Sequence, residues 1–149
     1  MVAGLSYELH KLTARLDRAA DELLRREHNI SYARFLVLFA VGQTNGTQRD
    51  LAEWLGQSEP SSSRMVAILA AEGLVEVIRL EGAGNRRRLG LSTTGTALVE
   101  RCGQRLEDRF QVLVHRSGVP YQAYQAHTRR LLQLLEADRP DKAEMGRFE

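Results

Sequence analysis

The spacing of apolar residues divides the chain into six helical segments and one hairpin. Over residues 5–26 they recur every three or four positions, at Leu5, Leu9, Leu12, Leu16, Ala20 and Leu23. This repeat places them on one stripe of a long amphipathic helix. Residues 32–41 contain the run FLVLF, which leaves almost no polar face, so we expect a buried second helix. Ser31 is suited to cap its start and Gly42 to end it.

Two short helices follow close together. Thr47 and Asp50 have the spacing of a capping box, which predicts a helix over 48–55 that ends at Gly56. Ser58 is suited to cap the next helix, which tolerates Pro60 in its first turn and runs through Ala71 to Gly73. The pair is therefore spaced like a helix-turn-helix.

The pattern then changes to that of a small hairpin. Residues 74–80 alternate apolar and polar side chains, residues 81–85 (EGAGN) favour a turn, and residues 86–91 return as a second strand. A long helix after Ser92 breaks at Ser117-Gly118, Pro120 starts the last helix, and residues 138–149 are typical of a flexible tail. The predicted fold class is mainly α with a small β-hairpin wing, a winged helix-turn-helix inserted between long helices.

Composition narrows the classes of protein. A chain of 149 residues, with 43% hydrophobic and 27% charged residues, is expected to fold as one globular domain. No apolar run approaches the roughly 20 residues that cross a bilayer, and the start lacks a signal peptide, which indicates a cytoplasmic protein. A single cysteine, Cys102, excludes an intramolecular disulfide and a multi-thiolate metal site. We expect no metal and no cofactor.

Residues 51–95 resemble the MarR family of bacterial transcriptional regulators. The resemblance is carried by the spacing of Leu51-Ala52, Leu55-Gly56, Gly73-Leu74-Val75, Leu91-Ser92 and Gly95, and it extends over residues 5–137. It implies a single MarR-like domain over residues 1–137, with dimerisation helices at about 5–27 and 96–137 and a winged helix-turn-helix at about 31–95. It further implies a homodimeric repressor that binds double-stranded DNA at an inverted repeat and is released by a small aromatic or acidic effector.

The second short helix carries the main candidates for DNA contact. At about 100° per residue, one face of this helix should pack inward, whereas Pro60, Ser63 and Arg64 point away with Ala67 and Ala71. The inward face consists of Ser62, Met65, Val66, Leu69 and Gly73. Small side chains permit close approach to base edges, and arginine can contact a guanine or a phosphate. The candidates are Ser58, Pro60, Ser61, Ser63 and Arg64. The alternative is that Ser58 is only a cap and the serine triplet only solvated surface.

Three arginines after the glycine-rich turn are candidates for a minor-groove contact. They are Arg86, Arg87 and Arg88. Because neighbouring strand residues face opposite ways, they cannot all point at DNA, and we favour Arg86 and Arg87. Asn85-Arg86 stands where the family commonly has Asp-Arg, and Glu81 is a candidate to replace that aspartate. The alternative is a solvated run of charge.

The resemblance also implies an effector pocket, for which His10, Tyr32, Arg34 and Phe35 are candidate lining residues. The alternative interpretation places Phe35 in the core and Arg34 on the surface.

Three other functions are alternatives to a DNA-binding regulator. An enzyme is disfavoured because no motif ties any of the four histidines to a nucleophile. A redox-responsive regulator would use Cys102, but that residue lies on an apolar stripe where thiols are usually inert. A protein-interaction module that does not bind DNA would be expected to lack the arginines after the turn.

Overall fold

The computed structural model of the chain describes residues 4–44, 46–79, 82 and 87–138. Within these residues the chain forms six α-helices and one antiparallel pair of strands. The elements are α1 (Leu5–His28), α2 (Tyr32–Thr44), α3 (Gln48–Leu55), α4 (Glu59–Ala71), β1 (Val75–Arg79), β2 (Arg87–Leu91), α5 (Thr93–Ser117) and α6 (Tyr121–Ala137). The predicted fold class is confirmed. Glu81, Asn85, Arg86 and the tail from residue 139 lie outside the described residues.

The predicted end of the second helix at Gly42 is wrong, since α2 continues to Thr44. A Cβ atom at position 42 would lie 3.0 Å from Leu91 Cδ1. Gly42 therefore permits close packing of α2 against β2 and does not end the helix.

The chain divides into two compact units, one up to Leu106 and one from Glu107 onward. The first unit contains α1 to α4, the hairpin and the first half of α5. Helix α2 lies at the centre of its core because its apolar run faces neighbours on several sides, and Phe35, Leu38 and Val41 are buried there. Leu51 of α3 and Leu69 of α4 complete this core with other buried residues.

The second unit contains the rest of α5 and α6. Val114 is its buried apolar residue among those described, and α6 has no buried residues. Gly118 ends α5 with a φ of 77°, a left-handed conformation that glycine adopts at little cost, and this agrees with the predicted break.

The two short helices have the predicted ends. Thr47 Oγ1 accepts a hydrogen bond from the Asp50 N–H at 3.3 Å, and Asp50 Oδ2 accepts one from the Thr47 N–H at 2.9 Å. This reciprocal capping box fixes the start of α3. Gly56 ends α3 with a φ of 63°, and Ser58 Oγ accepts a hydrogen bond from the Ser61 N–H at 3.4 Å.

The hairpin is fixed at its base by Ser92. Its hydroxyl donates to the Gly73 carbonyl oxygen at 2.6 Å and accepts from the Gly95 N–H at 3.0 Å. A Cβ atom at Gly95 would lie 2.0 Å from the Leu74 carbonyl oxygen. The hairpin base and the start of α5 therefore meet at one point, and only glycine fits there without displacement.

None of the helices in the described part of the chain is both long and apolar enough to cross a bilayer.

Candidate nucleic-acid interface

Helix α4 is fixed to the first unit by its inward face. Ser62, Val66 and Leu69 are buried, as the helical spacing predicted. The Ser62 hydroxyl donates to the Glu59 carbonyl oxygen at 3.1 Å. The only polar side chain among these three is thus satisfied within the helix and needs no partner outside it.

The opposite face of α4 is exposed from its first turn onward. Pro60, Ser61, Ser63 and Arg64 all belong to this face. No ion pair or hydrogen bond of the Arg64 guanidinium is found within the described residues. An exposed face of small residues with one arginine free to contact a nucleic acid has the shape and chemistry that close approach to base edges requires. Ser58 serves as the N-cap of α4 and is exposed as well.

The structure describes part of the candidate wing. Arg88 pairs with Ile78 in the register of the two strands, next to Leu89, which is buried. Because side chains alternate along a strand, Arg88 lies on the face opposite the one that Leu89 packs into the core. The backbone of Arg87 pairs with Arg79, and Arg86 lies outside the described residues. Which of the three arginines contacts DNA stays a prediction.

Three of the four candidate effector residues lie at the start of α2. Phe35 is buried in the core, as the alternative interpretation expected, and its ring stacks on that of Tyr32 with centroids 6.1 Å apart. Burial raises the pKa of the half-buried Tyr32. Arg34 forms an ion pair with Glu72 and is therefore not simply a surface residue.

His10, the fourth candidate effector residue, does not lie near the other three. Tyr32 donates its N–H to Asp21 Oδ1 at 2.9 Å, which places the start of α2 beside Asp21 in α1. His10 is exposed and lies three helical turns before Asp21, about 16 Å along the axis at 1.5 Å per residue. It lies too far along α1 to share a small pocket with Tyr32 within this chain.

Solved structures with this arrangement of elements are known. A cysteine-to-serine mutant of MarR from E. coli is similar with a TM-score of 0.73 and 23% identity, over 91% of this chain and 98% of that one. The Multiple Antibiotic Resistance Repressor, MarR, gives a TM-score of 0.70 and 25% identity, over 94% and 98% of the two chains. The chain has the MarR fold. MepR in the S. aureus MepR–DNA complex is similar to this chain with a TM-score of 0.68 and 23% identity, over 90% of this chain and 96% of MepR.

A scan against protein-family models gave no match, and a search of curated proteins found no similar sequence. The assignment of the MarR fold therefore rests on structural similarity. In this fold α3 and α4 form the helix-turn-helix, and β1 and β2 form the wing. The exposed face of α4 is the part of this MarR fold that carries the candidate DNA contacts.

Sequence reasoning missed three polar contacts that organise this MarR fold. Asp21 caps α2 from another helix, and the hydrogen bonds from Arg25 and Tyr32 lower its pKa. Arg105 Nε donates to Glu27 Oε2 at 2.6 Å, which joins α5 to α1 and lowers the pKa of Glu27 to about 2. The Arg34–Glu72 pair is the third. No local spacing marks these contacts, because their partners are far apart in the sequence.

Cys102 is fully buried in the core of the first unit. Burial raises the pKa of its thiol, so the reactive thiolate is disfavoured at neutral pH. This is the core position that the apolar stripe predicted. Within the described residues no three His, Cys, Asp or Glu side chains are grouped so that they could hold a metal ion.

The second unit has an open hollow between the end of α5 and the start of α6. Its lining includes Asp108, His115, Arg116 and Tyr121. The Tyr121 hydroxyl donates to Glu107, and this hydrogen bond raises the pKa of Tyr121. The predicted effector residues do not line this hollow.

Proposed function

We propose that the chain is a MarR-family transcription regulator that binds double-stranded DNA in a sequence-specific way. The observation that carries the proposal is the surface of α4. Its first two turns expose Pro60, Ser61, Ser63 and Arg64, while Ser62 and Val66 hold its other side in the core. A helix so anchored can enter a major groove with its small residues against the base edges.

The roles of the individual side chains follow from their chemistry. Ser61 and Ser63 offer hydroxyls to phosphates or bases, Arg64 offers a bidentate contact to guanine, and Ser58 and Pro60 permit close approach. Arg86, Arg87 and Arg88 supply the wing contacts in the minor groove or to phosphates. Each phosphate contact that they make adds about 0.9 to the salt slope of binding.

The protein acts as a homodimer in this proposal. Helices α1 and α6 expose large apolar side chains that a monomer would leave in water, and Leu5, Leu131, Leu134 and Leu135 are each more than half exposed. Exposed apolar surface of this extent is typical of a protein interface. Two symmetric copies would place two α4 helices on an inverted repeat with half-sites about one helical turn, roughly 34 Å, apart.

Regulation by a small aromatic or acidic effector is part of the proposal. Tyr32 and Arg34 are the candidates that best fit such a ligand, since they bring an aromatic ring and a cation to the start of α2. An effector would release DNA only if it bound one shape of the dimer more tightly than the other. A repressor acting in the cytoplasm, with no enzymatic activity, is the form of regulator we propose, and the similar solved structures are of regulators.

The proposal is tested by selecting bound sequences from a random duplex pool at near-physiological salt, with the mass of the protein in solution measured in parallel. Recovery of one inverted repeat by a dimer is the expected result. A dimer that enriches no sequence, under both reducing and oxidising conditions, would contradict the proposal and favour an interaction module on the same scaffold. Enrichment only under reducing conditions would favour redox control through Cys102.

A further inference from the structure

An ion pair joins the second helix to the end of the proposed reading helix. Arg34 lies in the first turn of α2, and its Nη2 atom contacts Glu72 Oε2. Glu72 is the C-cap residue of α4 and donates its own N–H to the carbonyl oxygens of Ile68 and Ala70. The contact therefore connects the start of one helix to the last turn of the other.

The Arg34 guanidinium depends on this contact. Its Nε and Nη2 atoms are shielded from solvent, Nη2 contacts the Glu72 carboxylate, and Nε finds no hydrogen-bond acceptor in the described part of the chain. The side chain of Arg34 is 27% exposed, whereas that of Glu72 is 46% exposed. Glu72 thus supplies the opposite charge, and in return Arg34 lowers the pKa of the Glu72 carboxyl.

The start of α2 is itself held in place. The Tyr32 N–H is bound by Asp21 of α1, and the Arg34 N–H donates to Ser31 Oγ at 3.2 Å. Arg34 therefore extends from a backbone segment that two hydrogen bonds fix. A side chain anchored in this way can define where the end of α4 lies.

The core contacts of α4 hold the helix along its length, and the ion pair adds a contact at its last turn. Val66 and Leu69 hold α4 by apolar packing in the core, whereas the ion pair acts on Glu72, beyond the last buried residue of the helix. The ion pair lies eight residues after Arg64, about 12 Å along the helix axis. A small rotation at the Glu72 end would therefore move the exposed first turns of α4, where hydrogen bonds to base edges tolerate only a few tenths of an ångström.

We propose that the Arg34–Glu72 ion pair fixes the orientation of α4 and so sets how strongly the protein discriminates its operator from other DNA. Arg34 and Glu72 are positioning residues that act through α4. The inference rests on the proposed function, because it needs a DNA sequence to which the protein binds selectively.

The proposal predicts an effect opposite in sign to simple electrostatics. Glu72→Gln removes a negative charge, which by itself should strengthen binding to any duplex. If the carboxylate orients α4, the same change should weaken binding to the operator by about tenfold, the size of one good base contact. Binding to a scrambled duplex should stay unchanged or increase slightly, and the salt slope should not change.

The experiment measures the affinity of full-length wild type and Glu72→Gln for the selected operator and for a scrambled duplex, by fluorescence anisotropy at several salt concentrations. Glu22→Gln is the matched control, since it removes the same charge from an exposed ion pair with Arg18 in α1. Arg34→Lys is the second variant, because it keeps the charge and loses the planar guanidinium. Thermal unfolding of each variant reports on its stability.

We expect Arg34→Lys to discriminate the operator from scrambled DNA as poorly as Glu72→Gln does. The variant that carries both substitutions should discriminate no worse than the poorer of the two single variants. Glu22→Gln should bind as the wild type does. The inference is overturned if Glu72→Gln discriminates as well as Glu22→Gln. It is also overturned if operator and scrambled affinities fall together with the unfolding temperature. A wild type that selects no sequence would instead refute the proposed function.

Discussion

Replacing Gly95 with alanine should destabilise the protein, although alanine is the better helix former. Gly95 is the third residue of α5, and an added Cβ would lie 2.0 Å from the Leu74 carbonyl oxygen and 3.0 Å from its carbon. The obstacle is backbone, which cannot rotate away as a side chain can. The same carbonyl oxygen accepts the Ser92 N–H at 3.1 Å, so moving it also disturbs the base of the hairpin.

The magnitude follows from three contributions. Overpacking costs about 1–3 kcal/mol, and a weakened hydrogen bond costs about 1 kcal/mol more. The higher helix propensity of alanine offsets about 1 kcal/mol of this sum. The net loss is about 1–3 kcal/mol, and about 2 kcal/mol would lower the unfolding temperature of a chain of this size by roughly 4–8 °C.

The assay is thermal and urea unfolding of Gly95→Ala beside Gly103→Ala, at equal protomer concentration because the stability of the proposed dimer would depend on it. Gly103 lies in the same helix, and nothing stands within 4 Å of its added Cβ. Its alanine variant should match the wild type or gain up to about 1 kcal/mol. If Gly95→Ala unfolds at or above the wild-type temperature, the reasoning from the close approach to Leu74 is refuted.

Three further predictions concern DNA contact, pH and the buried thiol. Arg64→Ala should lose about 1–3 kcal/mol of operator affinity and relax sequence preference, measured by repeating the duplex selection. Because Arg105 holds the pKa of Glu27 at about 2, below its ordinary 4.5, the ionised pair stabilises the fold above pH 4.5. That stabilisation is lost as the pH falls towards 2. Between about pH 5 and pH 3 the unfolding temperature of the wild type should therefore fall further than that of Glu27→Gln. Cys102→Ser should cost about 1–3 kcal/mol in urea unfolding by burying an unpaired hydroxyl, and the native thiol should react with a thiol reagent only on unfolding.

Each of these has its own contradicting result. Arg109→Ala, which removes an exposed arginine from α5, is the control for Arg64→Ala, and equal effects of the two would show that Arg64 contributes charge alone. If the unfolding temperatures of wild type and Glu27→Gln fall equally with pH, the Glu27–Arg105 ion pair does not cause the loss of stability in acid. Rapid labelling of Cys102 in the folded protein would contradict its inert position and favour redox control.

The elements of the fold could be predicted because their signals are local in the sequence. The reciprocal bonds of Thr47 and Asp50, the left-handed Gly56 and the cap at Ser58 each depend on residues within one helical turn of one another. The inward and outward faces of α4 followed from helical periodicity in the same way.

The polar contacts between elements could not be predicted, because they depend on tertiary placement. Glu27 and Arg105 are 78 residues apart, and nothing in the neighbourhood of either identifies the other. Gly42 shows the same limit, since the sequence marks a helix end whereas the fold uses the missing side chain for contact with Leu91. The core position of Phe35 agrees with the apolar run of α2 and not with its candidacy for an effector pocket.

The bonds around Ser92 affect how a chain of this kind can vary in evolution. Both ends of the hairpin are tied at Gly73 and Gly95 through one hydroxyl, so these bonds between the end of α4 and the start of α5 do not depend on the length of the connection between Arg79 and Arg87. Doubling that connection costs only about 0.6 kcal/mol in closure entropy. Insertions and deletions in this connection can therefore change the reach of the wing, and with it the DNA preference that we propose, while selection on stability acts on the hairpin base.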